Sequence, residues 1–324
     1  NMLVGPQAGL HNFWNLCGAS IGIAQGGIGK FLAQWIVHGQ TELNMVPLDS
    51  RRFGSWATRD YCITKAIESY EIMYAPFGAN ENKPHGRPRR PGPLYAVLAE
   101  KGAVHGAIQG FEKPLWFKTA RVKEEASTWE RSQAHDAVAE ECLAVRDAAG
   151  VVDISGASRF EVSGPGAGAF LDNLSCNRLP RKDGRIVLTL FHGPNGGIMT
   201  EQSITRLHQD LYYLVGPILS EHRDMQWMQQ HSNGYDVQIK NLTDQYGGVL
   251  LTGPNARDIL QQLTDEDLSN SAFPWLSCST VKLDSAHVRV MRVSYAGELG
   301  YELHMPNYQL VSIYESLERV GSEY

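Results

Sequence analysis

Residues 162–175 and 251–264 follow one template: the end of a strand, a hydroxyl residue, Gly-Pro, then an amphipathic helical pattern. The first copy reads Val-Ser-Gly-Pro-Gly-Ala-Gly-Ala-Phe-Leu-Asp-Asn-Leu-Ser and the second Leu-Thr-Gly-Pro-Asn-Ala-Arg-Asp-Ile-Leu-Gln-Gln-Leu-Thr. Pro165 and Pro254 suit the first turn of a helix, where a missing N–H costs nothing, and Ser163 and Thr252 stand where strand hands over to turn. Two copies of such a unit imply a pseudo-duplicated α+β domain. Around them, 186–191, 203–207, 211–215, 249–252 and 288–294 read as strands, joined by turn chemistry such as Pro194-Asn195-Gly196-Gly197.

The earlier part of the chain is punctuated differently. Residues 79–93 are crowded with proline and glycine and can be neither helix nor central strand. Within them Arg87, Arg89 and Arg90 read as a solvated basic loop, with anion binding as the alternative. A polar break at 118–132 leads into a helical pattern over 134–149. Residues 1–120 and 121–324 are therefore expected to be separate units. With 324 residues, 43% apolar and 20% charged, the chain can bury two cores, and a net charge of -6 argues against a nucleic-acid partner. No membrane span or signal peptide is expected from the hydropathy pattern. Cys17, Cys62, Cys142, Cys176 and Cys278 lack C-x-x-C spacing and read as reduced, buried thiols in a reducing compartment. The N-x-[ST] matches at Asn173 and Asn241 are then accidental.

A glycine-dense turn, Gly22-Ile-Ala-Gln-Gly26-Gly27-Ile-Gly29, opens into an apolar helical run over 30–38. Glycines ahead of a helix let the backbone approach a ligand closely and aim free N–H groups and the positive helix end at an electron-rich group. Neither nucleotide fingerprint fits. The third glycine of G-x-G-x-x-G is absent after Gly27-Ile-Gly29, and a P-loop would need glycine at Ala24 and a hydroxyl at Phe31. Gly18-Ala19-Ser20-Ile21-Gly22 matches the G-x-S-x-G elbow of hydrolases, with an apolar stretch at 13–17 before it. Its helix would then carry Gly26, Gly27 and Gly29 in its body, each costing about 1 kcal/mol relative to alanine, which disfavours Ser20 as a nucleophile.

No H-E-x-x-H, paired cysteines or clustered histidines point to a metal. His11, His38, His85, His105 and His135 stand alone and read as structural or surface residues. Carboxylates are more informative. Glu201 follows the Gly196-Gly197 turn, and Glu298 and Glu302 lie in Tyr295-Ala-Gly-Glu-Leu-Gly-Tyr-Glu-Leu303. If Tyr301 and Leu303 face a core, Glu302 shares the other face with Gly300. A carboxylate on a strand beside glycine and tyrosines can recognise a heterocycle with several N–H donors, such as a pterin. A surface glutamate in a hairpin is the alternative.

Taken in order, these motifs resemble the dimethylglycine dehydrogenase and sarcosine dehydrogenase family over essentially the full chain. The matching residues in the first part are 17–36, Leu48-Asp49, Arg52-Phe53, 86–95 and 110–117. The second part is similar to the folate-binding domain of the glycine-cleavage T-protein through 141–155, the two Gly-Pro helices, 196–198 and 297–302. The resemblance implies an α+β fold carrying an α/β remnant of a flavin domain, with FAD and tetrahydrofolate as cofactors. Gly26, Gly27 and Gly29 would face the pyrimidine side of the flavin, and Glu302 would grip the pterin with Tyr212 and Leu214 walling the pocket. Glu201 would be catalytic, standing where the family has an aspartate that assists proton transfer. That is a departure by one methylene, roughly one C–C bond length.

The implied reaction is hydride removal from an N-methyl amine to the flavin, with the carbon of the resulting iminium released as formaldehyde or captured by tetrahydrofolate. The resemblance further implies an electron-accepting flavoprotein partner, a homo-oligomer, and a bacterial cytoplasmic or mitochondrial-matrix location. Two rivals share this ancestry: a non-enzymatic regulatory subunit like that of pyruvate dehydrogenase phosphatase, and a folate-dependent methyltransferase without flavin chemistry.

Overall fold

The computed structural model describes residues 2–18, 25–75, 82–124 and 128–324. In chain order the first elements are β1 (Leu3–Pro6), β2 (Trp14–Cys17), α1 (Gln25–His38), α2 (Arg59–Glu71), α3 (Tyr95–Glu100), β3 (Ala103–Ile108), β4 (Phe111–Phe117) and α4 (Ala134–Asp147). There follow β5 (Gly150–Asp153), β6 (Ser158–Ser163), α5 (Ala167–Leu174), β7 (Arg185–His192), β8 (Ile198–His208), β9 (Leu211–Gly216) and α6 (Glu221–His231). The chain continues through β10 (Gln238–Asn241), β11 (Tyr246–Thr252), α7 (Ala256–Gln261), β12 (Cys278–Leu283), β13 (Ala286–Met291), β14 (Gly300–Pro306) and α8 (Asn307–Gly321). Its contacts form two compact, interleaved units: Asn1–Ser55 with Ala157–Leu242, and Trp56–Gly156 with Thr243–Tyr324.

Each unit is organised on a five-stranded sheet, and the two sheets have the same plan. The first runs β10-β6-β9-β8-β7 and the second β5-β11-β14-β13-β12. In both, a template strand leads through a helix into three antiparallel strands, the last of which returns to pair with the template. The fifth strand of each sheet comes from ahead of the other repeat. β5, which precedes β6, pairs with β11, and β10, which precedes β11, pairs with β6.

The Gly-Pro turns explain why the repeats fold alike. Gly164 and Gly253 have φ of 119° and 121°, a region that side chains rarely enter. A Cβ would lie 2.5 Å from the Asp236 carbonyl at the first and 2.6 Å from the Ala148 carbonyl at the second. The Ala167 amide then donates to Gly164 O at 2.9 Å, and Ala256 to Gly253 O at 3.1 Å. Pro165 and Pro254 stand just ahead of the caps Gly166 and Asn255 rather than inside the helices. Both copies bury the same stripe at i, i+3, i+4 and i+7: Ala167, Phe170, Leu171 and Leu174 of α5, and Ala256, Ile259 and Leu260 of α7 with Leu263 just past its end. α8 does likewise with Leu310, Ile313, Tyr314, Leu317 and Val320. Burying each large apolar side chain contributes about 1.5–3 kcal/mol.

Several expectations are corrected. α1 begins at Gln25, so Gly26, Gly27 and Gly29 lie in its first turns and not in a turn ahead of it; Ser20, Gly22 and the rest of 19–24 lie outside the described residues. The arginines of the proline-rich loop are not a freely solvated patch: Arg87 and Arg89 are half-buried and Arg90 is buried. Arg87 Nε donates to Glu112 Oε1 at 3.0 Å, Arg89 donates to the Trp56 carbonyl, and buried Arg90 reaches Asp244 at 2.6 Å with its guanidinium 3.6 Å from the Phe111 ring centre. All five cysteines are free, but Cys17, Cys62, Cys142 and Cys176 are exposed and Cys278 alone is buried. The strand expected over 288–294 ends at Met291, and the helix expected over 134–149 is α4.

Candidate functional site

In the second unit the alternation along β14 sends Tyr301, Leu303 and Met305 into the apolar core against Val249, Leu251 and Val290. Glu302 and His304 take the opposite face. That face is covered too: Glu302 is 7% exposed and His304 1%. Glu302 is therefore not a surface residue of a hairpin but a carboxylate on an inner strand, directly opposite Leu250 on β11 and Met291 on β13. His304 Nε2 lies 2.9 Å from Glu302 Oε2. With the carboxyl ionised, that nitrogen is the donor, and Oε1 keeps its lone pairs for an incoming N–H.

The first unit carries Glu201 on β8, where its neighbours Thr200 and Gln202 are buried and Glu201 itself is exposed. The strand holding it is pinned from behind. The Asp224 carboxylate on α6 accepts from Thr200 Oγ1 at 2.8 Å, Ser220 Oγ at 2.6 Å and Gln202 Nε2 at 2.9 Å, beside the Arg223 guanidinium. Burial pushes the Asp224 carboxyl above the ordinary Asp value, although Arg223 and the hydroxyl donors favour its anion. This cluster borders a cavity of about 410 Å³ in the same unit, lined by Trp35, Gln40, Met199, Thr200, Ser220 and Arg223 among others. Residues from the α1 side of the unit and from the β8 side thus share one concave space.

Tyr212 and Leu214 are buried in the first unit. They point into the apolar core beneath α5 with Phe160, Val162, Phe170 and Ile204, and the Tyr212 hydroxyl lies over Gly168. Register places the alternate positions on the face that carries Glu201: Ser203 pairs with Val215, and Thr205 with Tyr213, which pairs in turn with Glu161 of β6. Tyr213, Thr205 and Arg159 are wholly buried there. The Thr205 hydroxyl has no hydrogen-bond partner among the described residues. A one-residue shift along a strand exchanges its faces, so Tyr213 and Val215, not Tyr212 and Leu214, share the face of Glu201.

At α1, a Cβ on Gly26, Gly27 or Gly29 would meet nothing within 4 Å, and none of the three has a positive φ. Gly26 and Gly27 are exposed, while Ile28 between them and Gly29 packs with Val4 and Met45. The helix therefore turns bare backbone outward while its apolar side is anchored.

Known proteins bear on this geometry directly. The sequence pattern of the GCVT N-terminal domain matches residues 94–324, and that of the FAD dependent oxidoreductase central domain matches residues 38–91. The chain belongs to the GCVT N-terminal domain family. It is 34% identical to the mitochondrial dimethylglycine dehydrogenase of Mus musculus over 326 residues, 99% of this chain and 37% of that protein. Against the mitochondrial sarcosine dehydrogenase of Mus musculus it is 30% identical over 371 residues, 99% of this chain and 40% of that protein. The chain spans less than half the length of these curated relatives. The solved glycine cleavage system aminomethyltransferase T from Bartonella henselae superposes with a TM-score of 0.59 at 24% identity, covering 70% of this chain and 56% of that one. At that identity the likeness is one of fold. The relationship expected from the ordered motifs holds, as does the α+β class.

The duplication also relates positions of the two repeats. Ser163 pairs with Leu211 and Thr252 with Gly300 at matching ends of the template strands. Two residues further along, Tyr213 and Glu302 occupy equivalent positions of the two repeats. In the sequence His304 carried a faint signal, a histidine two residues beyond Glu302 on a strand and hence on its face.

Proposed function

We propose that this chain takes part in flavin-dependent oxidative demethylation of a dimethylglycine- or sarcosine-like N-methyl amine, with the one-carbon unit released as formaldehyde or transferred to tetrahydrofolate. The observation that carries the folate half is Glu302, a nearly buried carboxylate with one oxygen held by His304 and the other available. Such a group is suited to the paired N–H donors of a pterin edge. Glu201, exposed on a strand pinned by Asp224, would be placed to take the proton that a bound folate nitrogen gives up on capturing the carbon. Tyr213, in place of Tyr212, and Val215, in place of Leu214, belong to the face that Glu201 shares.

For the flavin half, residues 1–120 supply the portion next to the ring. Gly26, Gly27 and Gly29 would hold it, since they leave the backbone of α1 open where side chains would stand. A bound flavin supplies hydride acceptance from the amine carbon. The names of the relatives, dehydrogenases of dimethylglycine and sarcosine, support the amine class.

The test uses the intact protein. A flavin absorbance band bleached anaerobically by dimethylglycine or sarcosine is expected, and Glu302→Ala should weaken tetrahydrofolate binding about tenfold or more while sparing that bleaching. A colourless protein inert to every N-methyl amine would defeat the oxidative reading in favour of a regulatory one. Unchanged folate affinity in the Glu302 variant would remove that residue from the site.

A further inference from the structure

We infer that His304 is a positioning residue for ligand recognition: by donating from Nε2 to Glu302 Oε2 it sets the plane of the carboxylate and presents Oε1 to the pterin. The inference rests on the reading of Glu302 as a folate contact. It starts from the strand. Residues two apart share a face, so the side chains at 302 and 304 lie side by side on β14, with 2.9 Å between donor and acceptor. The terminal torsion of a glutamate is broad and roughly two-fold, so a carboxylate held at neither oxygen samples many orientations. Its cross-strand neighbours at this position, Leu250 and Met291, offer no hydrogen bond to hold it. His304 does. Its ring is fully buried and confined by the sheet, and so holds the carboxylate as a fixed fixture would.

The surrounding charge suits this role. Arg289 lies directly across β13 from His304, its guanidinium 5.9 Å from the Tyr246 ring centre. Cys278 on β12, directly opposite Met291, has its thiol pushed up to about 12 by burial and remains uncharged. The Glu302 carboxylate therefore shares its face with a cation and a neutral donor rather than with a second anion. An ordered acceptor costs less to organise at the moment of binding than a mobile one.

Two amide substitutions separate hydrogen bonding from packing. In His304→Gln the amide nitrogen reaches about as far as Nε2, whereas in His304→Asn it falls short, at about the position of Nδ1. Both keep a polar, foldable side chain. Tetrahydrofolate affinity of the intact protein, measured anaerobically by titration, should fall about tenfold or more in His304→Asn and stay within about threefold of wild type in His304→Gln. Melting temperature without folate reports packing independently. If Glu302→Ala leaves affinity unchanged, the underlying folate reading fails. If Glu302→Ala loses affinity while both His304 variants bind like wild type, or both lose it equally, the positioning role is overturned and the folate reading stands.

Discussion

Replacing Gly29 with alanine separates the two reasons a helix can carry glycine. Gly29 is the fifth residue of α1, in ordinary helical conformation, and a Cβ there would meet nothing within 4 Å. On folding grounds alone alanine should then be better by about 1 kcal/mol, because glycine surrenders more backbone freedom on entering a helix. For a domain of about 150–250 residues that is a rise of about 2–4 °C in Tm. If the bare backbone is where a flavin ring rests, the same methyl group occupies ligand space. Overpacking of this kind costs about 1–3 kcal/mol, a loss of roughly 5- to 150-fold in affinity. Thermal unfolding of the flavin-free protein and flavin retention on dialysis, measured on one preparation, read the two effects separately. The expected result is a protein more stable when empty and poorer in flavin. A variant that is stabilised yet retains flavin like wild type would refute the role of the glycines, and one that is destabilised when empty would refute the premise that the space above Gly29 is open.

Two further outcomes follow from the folded units themselves. Gly253→Ala combines a disfavoured φ of 121° with contacts to rigid backbone at 2.6–2.7 Å, so a loss of about 3 kcal/mol or more and a Tm lower by about 6–12 °C are expected; a silent substitution would mean that the turn geometry is wrong. Thiol-specific alkylation at pH 8, followed by peptide mass mapping, should modify exposed cysteines such as Cys62 and Cys142 while Cys278, whose burial pushes its thiol up to about 12, reacts only after unfolding.

What could be read in the sequence was local. The Gly-Pro units announce themselves because a positive-φ glycine, a proline and an apolar stripe fall within a few consecutive residues. Glu302 could be assigned a face because Tyr301 and Leu303 flank it with aromatic and aliphatic bulk. The same logic fails at 211–215, Leu-Tyr-Tyr-Leu-Val, where Tyr212, Tyr213 and Leu214 are all buried and polarity does not alternate. With both faces covered, periodicity cannot distinguish the core side from the site side. The partners of Arg87 and Arg90 were hidden for another reason. Glu112 and Asp244 are distant in sequence, and nothing about a proline-rich loop says which carboxylates will close on it. The exchange of β5 and β10 is likewise a pairing between remote segments, invisible to any window of local pattern.

That exchange has a consequence for how the protein is made. A ribosome extrudes β6 well before β10, which must pair with it, and β5 emerges still earlier than its partner β11. At cellular synthesis rates the interval between β6 and β10 is on the order of ten seconds, long compared with the collapse of the first repeat. During that interval the nascent first sheet presents an unprotected edge at β6, and β5 has no sheet to join. Such edges invite pairing with other chains. Neither repeat can therefore finish folding on its own as it is born, and a chaperone that shields strand edges during translation would act on this protein in the stretch between residues 163 and 238.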